Sequence, residues 1–98
     1  MKIDIKYSRL LKIYGKLLTP LQHEITEMYY HFDLSLTEIA EIKNVTRQSV
    51  EYTLKTVRRV LDGFEESLGI MGLLDRLDSF SDTLSEEKKK ELIEILEK

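Results

Sequence analysis

The sequence contains no cysteine and a single proline among its 98 residues. The lack of cysteine excludes disulfide bonds and thiolate metal sites, which stabilise many chains of this length. No stretch alternates apolar and polar residues for long, so strands are not expected. No apolar run approaches the roughly 20 residues that a membrane-spanning helix needs. Residues 1–7 also lack the apolar core of a signal peptide, so we expect a cytoplasmic protein without membrane insertion.

The sequence also has few of the residue patterns that support catalysis. The four glycines are scattered, at positions 15, 63, 69 and 72, and form no phosphate-binding loop. His23 and His31 are eight residues apart and have no carboxylate partner at metal-ligand spacing. No serine or aspartate forms a recognisable nucleophile–base arrangement with either histidine. We therefore expect no enzyme activity, no cofactor and no metal site.

Charge is distributed unevenly along the chain, although the net charge is only −3. Residues 1–34 have 5 basic and 4 acidic groups, a net +1. Residues 35–61 have 5 basic and 3 acidic groups, a net +2, whereas residues 62–98 have 5 basic and 11 acidic groups, a net −6. The middle of the chain is therefore mildly basic and the tail is acidic.

Apolar residues recur at intervals of three and four along nearly the whole chain, which predicts an all-α fold of five or six helices. Capping signals at Thr19, Ser35 and Thr46 mark three helix starts. The predicted helices cover about residues 4–18, 20–31, 36–43 and 47–68, followed by two shorter helices around a polar loop at 78–84. The positions predicted to face inward are Tyr7, Leu10, Leu11, Tyr14, Leu17, Leu18, Leu21, Ile25, Met28, Tyr29, Phe32, Leu36, Ile39, Ala40, Val50, Leu54, Val57, Leu61, Phe64 and Leu68.

Residues 35–59 fit a helix-turn-helix, in which a short helix, a tight turn and a second helix follow one another. Ala40 supplies the small residue needed where the two helices cross. Asn44 supplies a residue that tolerates the left-handed conformation of the turn. The apolar positions expected to lock the motif are Ile39, Val45 and Val50.

Polar residues on the second helix form one stripe, opposite its apolar seam. Its members are Gln48, Tyr52, Lys55 and Arg59, with Arg47 and Arg58 beside them and Thr46 at the helix start. Glutamine and arginine can contact base edges, arginine and lysine can contact phosphates, and a threonine at a helix N-terminus can bind a phosphate. The stripe therefore predicts a surface that binds nucleic acid or a partner protein, although an exposed helix face is polar by default. Glu51 beside the stripe, the modest charge of +2 and the lack of a sensor domain argue against a sequence-specific DNA reader.

The chain is expected to comprise a helix-turn-helix domain, residues 1–70, and an acidic helical tail, residues 71–98, that extends the packing or mediates dimerisation. The apolar seam of the fourth helix continues past the motif through Phe64 and Leu68, and further leucines follow it. This predicts a homodimer. The alternative is that the tail folds back and covers the seam within one chain.

Residues 17–70 resemble the YlxM family, through Leu17-Leu18-Thr19, Tyr29-Tyr30 and three longer segments. The longer segments are Ser35-Leu36-Thr37-Glu38-Ile39-Ala40-Glu41, Asn44-Val45-Thr46-Arg47-Gln48-Ser49-Val50 and Phe64-Glu65-Glu66-Ser67-Leu68-Gly69. Members of that family are small bacterial proteins whose helix-turn-helix resembles the fourth conserved region of σ factors. The family is associated with the signal recognition particle. The resemblance implies an accessory of this particle that contacts its GTPase or its RNA.

Two alternatives to this role remain open. One is a transcriptional regulator that binds DNA, which a dimer with its recognition helices about one DNA turn apart would favour. The other is a purely structural homodimer. An acidic tail folded over the stripe would instead favour the accessory role.

Overall fold

The computed structural model describes residues 4–97, which form six α-helices, one short 3-10 turn and no strand. The helices are α1 Ile5–Tyr14, α2 Pro20–Tyr30, α3 Leu36–Lys43, α4 Arg47–Leu68, α5 Ile70–Ser81 and α6 Glu86–Leu96. The predicted all-α fold is therefore confirmed. No helix within residues 4–97 has both the length and the apolar composition needed to cross a bilayer.

Side-chain caps determine where most of these helices begin. Complete capping boxes precede α2 and α3, where Thr19 and Ser35 each accept a hydrogen bond from the third residue of the helix. Thr46 caps α4 by accepting from the Ser49 amide at 3.0 Å, and Ser85 caps α6. The three predicted helix starts are thus confirmed at residue level.

Two predicted helix boundaries are wrong. The first helix was expected to reach residue 18, but α1 ends at Tyr14 and Gly15–Leu17 form a 3-10 turn. Thr19 is extended, as the residue before a proline prefers to be, so the helix cannot continue into Pro20. Farther along, α5 continues to Ser81, and the loop expected at 78–84 is reduced to residues 82–85.

Helix α4 is shared by two hydrophobic clusters. Its second half packs against α1 and the turn after it, in a cluster of Leu10, Leu11, Tyr14, Leu18, Val57 and Leu61. Its first half packs against α2 and α3, in a cluster of Ile25, Ile39, Ala40, Val50 and Leu54. Burial was predicted for the apolar residues at the crossing of α3 and α4 and along the seam as far as Leu61, and it is confirmed.

Some apolar positions predicted to face inward are exposed. Leu17 lies in the 3-10 turn, Leu21 in the first turn of α2, and Phe32 beyond the end of α2. Leu68, in the last turn of α4, is 57% exposed. Phe64 is half-buried, and its ring centroid lies 5.8 Å from that of Tyr14. Burial along the seam of α4 therefore ends one helical turn before Leu68, where it was predicted to end.

A polar network joins α5 to the rest of the fold. The Tyr14 hydroxyl donates to Glu65 Oε1 at 2.7 Å and accepts from the Ile70 amide at 3.0 Å. The Glu65 carboxylate also accepts from the amides of Met71 at 2.9 Å and Gly72 at 3.1 Å. Gly69 precedes α5 in the left-handed conformation and offers no capping side chain, so Glu65 caps α5 from the preceding helix.

This network should make stability depend on pH in the acid range. The hydrogen bond from Tyr14, followed by those from the two α5 amides, lowers the pKa of Glu65 below its ordinary value of 4.5. A carboxylate with a lowered pKa stabilises the fold above pH 4.5, and this stabilisation is lost as pH falls through the folded pKa. Glu65→Gln should therefore flatten the decrease in urea midpoint below pH 4.5.

The neighbouring Glu66 provides the matched control, since its exposed side chain forms no hydrogen bond among residues 4–97. Glu66→Gln should leave the decrease in urea midpoint at acid pH the same as in the unmodified protein. An equal flattening by both substitutions would contradict the role assigned to the Tyr14–Glu65 network.

Candidate nucleic-acid interface

The turn between α3 and α4 has the geometry that a helix-turn-helix requires. Asn44 adopts the left-handed conformation with φ 54°, and its amide donates to the carbonyls of Ala40 and Glu41. The Val45 amide donates to the Ala40 carbonyl at 3.0 Å. These bonds terminate α3 and redirect the chain into α4 within three residues. The interpretation of Val45 as an apolar lock is wrong, because its side chain is 40% exposed, whereas Ile39 and Val50 are fully buried.

The N-terminal turn of α4 projects into solvent. Arg47 and Gln48 are exposed there. Their amides have no partner within the helix, because the first N–H groups of an α-helix lie beyond the reach of its carbonyls. The Thr46 hydroxyl oxygen is already engaged as the cap, so Thr46 contributes to binding mainly by fixing this turn. The start of α4 is therefore a capped, electropositive end.

The predicted stripe lies on one exposed face of α4. Gln48, Tyr52, Lys55 and Arg59 are all exposed. Tyr52 is 71% exposed. A depression of about 280 Å³ runs along this face, lined by Tyr52, Lys55, Thr56 and Arg59. Thr56 was missed from the sequence, although its position four residues after Tyr52 puts it on the same side of the helix.

The cations of this face are available to a ligand. Within residues 4–97, Arg47, Lys55 and Arg59 form no ion pair or hydrogen bond. Several cations elsewhere are engaged: Arg9 pairs with Asp75 at 2.6 Å, and Lys43 pairs with Glu24. Glu51 is exposed beside the stripe and reduces its net charge.

Arg58, which is predicted to flank the stripe as a binding residue, is already engaged within the fold. Its guanidinium donates to the Tyr30 hydroxyl at 3.1 Å. Burial raises the pKa of Tyr30, which therefore remains a neutral acceptor. Arg58 thus ties α4 to α2.

The acidic tail leaves the stripe uncovered. Helix α5 packs on α1 and on the C-terminal end of α4, and the stripe residues remain exposed. A tail folded over the stripe would have favoured the accessory role, and within residues 4–97 the tail is not folded in that way.

The two histidines are engaged in local contacts. His23 Nε2 lies 3.5 Å from Glu27 Oε2, and His31 Nε2 lies 3.3 Å from the Ser8 carbonyl. In the part of the chain that the structure describes, no three His, Cys, Asp or Glu residues are grouped as metal ligands.

The whole chain is similar to a family of helix-turn-helix proteins. A family model described as "Putative helix-turn-helix protein, YlxM / p13 like" matches residues 1–98. A "UPF0122 protein" of Desulforamulus reducens is 49% identical over 71 residues, covering 72% of this chain and 61% of that relative. A UPF0122 protein of a Thermoanaerobacter species is 41% identical over 106 residues, covering 99% of this chain and 91% of that relative. One of Clostridium kluyveri is 38% identical over 98 residues, covering 88% of each chain.

Proposed function

Because the chain belongs to the YlxM / p13-like family of helix-turn-helix proteins, we propose that it is a non-enzymatic, cytoplasmic accessory of the signal recognition particle pathway. It acts by binding the particle's RNA through the exposed face of α4. The link to the particle rests on the family resemblance of the three sequence segments. The choice of RNA as the ligand rests on the chemistry of the α4 face.

The observation that carries the RNA proposal is the set of unpaired cations on one exposed face of α4. Arg47 and Arg59 are separated by twelve residues, about 18 Å along the helix axis. The salt slope is the change in the logarithm of the binding constant with the logarithm of the salt concentration. Three phosphate contacts to a single strand give a salt slope of about −2, since each contributes roughly −0.7. This is a small electrostatic footprint. It suits a short RNA element better than a long duplex.

Tyr52 favours RNA with an unstacked base as the ligand. Its ring is exposed between cations, next to the depression that Lys55 and Arg59 line. Aromatic side chains at such positions stack on bases of single-stranded loops and bulges, where the base faces are accessible. In a duplex, the bases already stack on one another and leave the ring without a partner.

The alternative function, DNA-binding transcriptional regulation, is favoured by Arg47 and Gln48. Both residues lie in the first turn of α4, from which a recognition helix contacts base edges in the major groove. If the protein reads duplex DNA, loss of these two side chains should flatten its sequence preference.

Tyr52→Leu should weaken binding to the particle's RNA by roughly 5- to 150-fold, the equivalent of about 1–3 kcal/mol for one stacked base. Tyr52→Phe is the matched control and should bind nearly as tightly, because it keeps the ring. Fluorescence anisotropy with labelled RNA measures both affinities. Equal losses for the two variants would contradict stacking.

A selection from random duplex DNA separates the two functions. We expect no enriched motif, together with salt-sensitive binding of the particle's RNA. An enriched duplex motif would overturn the RNA proposal in favour of transcriptional regulation. Capture of the particle's GTPase without any RNA binding would keep the pathway and reject the RNA ligand.

A further inference from the structure

The two tail helices bury none of their apolar residues completely. Every described residue of α5 and α6 is either exposed or half-buried. The large apolar side chains exposed on these helices are Ile70, Leu73, Leu74, Phe80, Ile93, Ile95 and Leu96. Ile95 is 69% exposed, and α6 makes no extensive contact with any other helix among residues 4–97. An apolar surface of this kind marks an interaction site in a soluble protein.

The solvent-accessible area of the chain is larger than that of a compact monomer of the same mass. The chain exposes 7203 Å² for a mass of 11.6 kDa. A compact monomer of this mass exposes about 5,800 Å², so the surplus is roughly 1,400 Å². A stable protein–protein interface needs about 800 Å² from each partner. The surplus is therefore large enough for one interface.

The shape of the chain agrees with this surplus. The radius of gyration is 16.7 Å and the longest dimension is 52 Å, against 27 Å and 23 Å for the other two. A compact domain of this length has a radius of gyration of about 13 Å. The chain is elongated because the tail helices extend from the helix-turn-helix instead of closing over it.

We propose that α5 and α6 form the contact surface for a second copy of this chain. Two helices joined by a four-residue loop cannot enclose a core, whereas two such pairs form a four-helix arrangement that can. In a dimer with a two-fold axis, the same surface of each copy contacts that of the other, so the apolar side chains of one tail pack against those of the second. The proposal places the contact in the tail and not in the seam of α4, because Phe64 of that seam is half-buried against Tyr14 within one chain.

The charge of the tail gives this interface a distinctive salt dependence. Residues 70–97 contain four basic and eight acidic residues, a net charge of −4. Two tails repel each other through these charges and attract each other through their apolar side chains. Added salt screens the repulsion and leaves the apolar attraction in place. Dimerisation should therefore be maintained or strengthened by salt, whereas RNA binding is weakened by it.

The test is the mass of the full-length protein by multi-angle light scattering at micromolar concentration. The unmodified chain should have twice the mass of the 11.6 kDa monomer. The double variant Leu73→Glu and Ile95→Glu should have the monomer mass with unchanged circular dichroism, because both side chains are exposed in the single chain. Raising sodium chloride from about 0.05 to about 0.5 M should not lower the dimer fraction of the unmodified protein.

Ser67→Glu combined with Ser79→Glu is the control, since it adds the same charge at exposed polar positions and should remain dimeric. If the glutamate variant at 73 and 95 loses helicity, the milder pair Leu73→Ser and Ile95→Ser replaces it. A monomeric unmodified chain would overturn the proposal and leave the surface to another protein. A dimer that survives the substitutions at 73 and 95 would overturn the choice of surface.

Discussion

Removing the charges of Lys55 and Arg59 together should weaken RNA binding by roughly 25-fold at about 0.1 M salt. Each phosphate contact to a single strand releases counterions worth a factor of about 5 at this salt concentration, and two contacts multiply. The double variant Lys55→Gln and Arg59→Gln should also make the salt slope shallower by about 1.4. Filter binding over a range of potassium chloride concentrations measures both quantities.

A control with the same change in net charge tests whether the loss of RNA affinity depends on where the charges lie. Lys12 and Lys16 are exposed and unpaired within residues 4–97, and they lie outside α4. Lys12→Gln combined with Lys16→Gln should reduce RNA affinity by much less than the α4 double variant. Equal losses would mean that RNA responds to the overall charge of the protein, and the α4 face would be rejected as its binding site.

Leu61→Ala should lower the free energy of unfolding by about 2–5 kcal/mol, because it leaves a cavity in a packed cluster. Leu61 is fully buried between α4 and α1. Leu68 lies one heptad later on the same helix and is mostly exposed. Leu68→Ala should change the free energy of unfolding by less than about 0.5 kcal/mol.

Urea denaturation followed by circular dichroism compares the two variants directly, since the chemical change is identical and only the burial differs. A large loss at both positions would mean that the seam is covered as far as residue 68, as its periodicity alone suggests. A small loss at both would mean that the cluster of α1 and α4 contributes little to stability.

The elements predicted well from the sequence depend on local interactions. Helix starts follow from side chains that cap amides three residues away, as at Ser35 and Thr46. The left-handed turn at Asn44 likewise follows from the conformational preference of one residue. The periodicity of α4 predicts which face is buried. It does not predict how far the covering helix extends, so the exposure of Leu68 was not foreseen.

The candidate site was predictable to the extent that helical spacing determines it. The exposed residues Gln48, Tyr52, Lys55 and Arg59 follow directly from their spacing of four, three and four. The role of Arg58 does not, because its partner Tyr30 is 28 residues away along the chain. The Tyr14–Glu65 hydrogen bond similarly joins residues 51 positions apart. Contacts at such separations depend on how the helices pack, which a single sequence does not specify.

The central position of α4 also determines when the chain can fold as a ribosome makes it. Helices α1, α2 and α3 all pack on α4, and both clusters draw buried residues from it. The first 46 residues are therefore synthesised before the helix that covers their apolar faces. At about 5–20 residues per second, synthesis of the 22 residues of α4 takes roughly 1–4 s. During that interval the nascent helices expose apolar surface, and the fold forms late, once the end of α4 has left the exit tunnel.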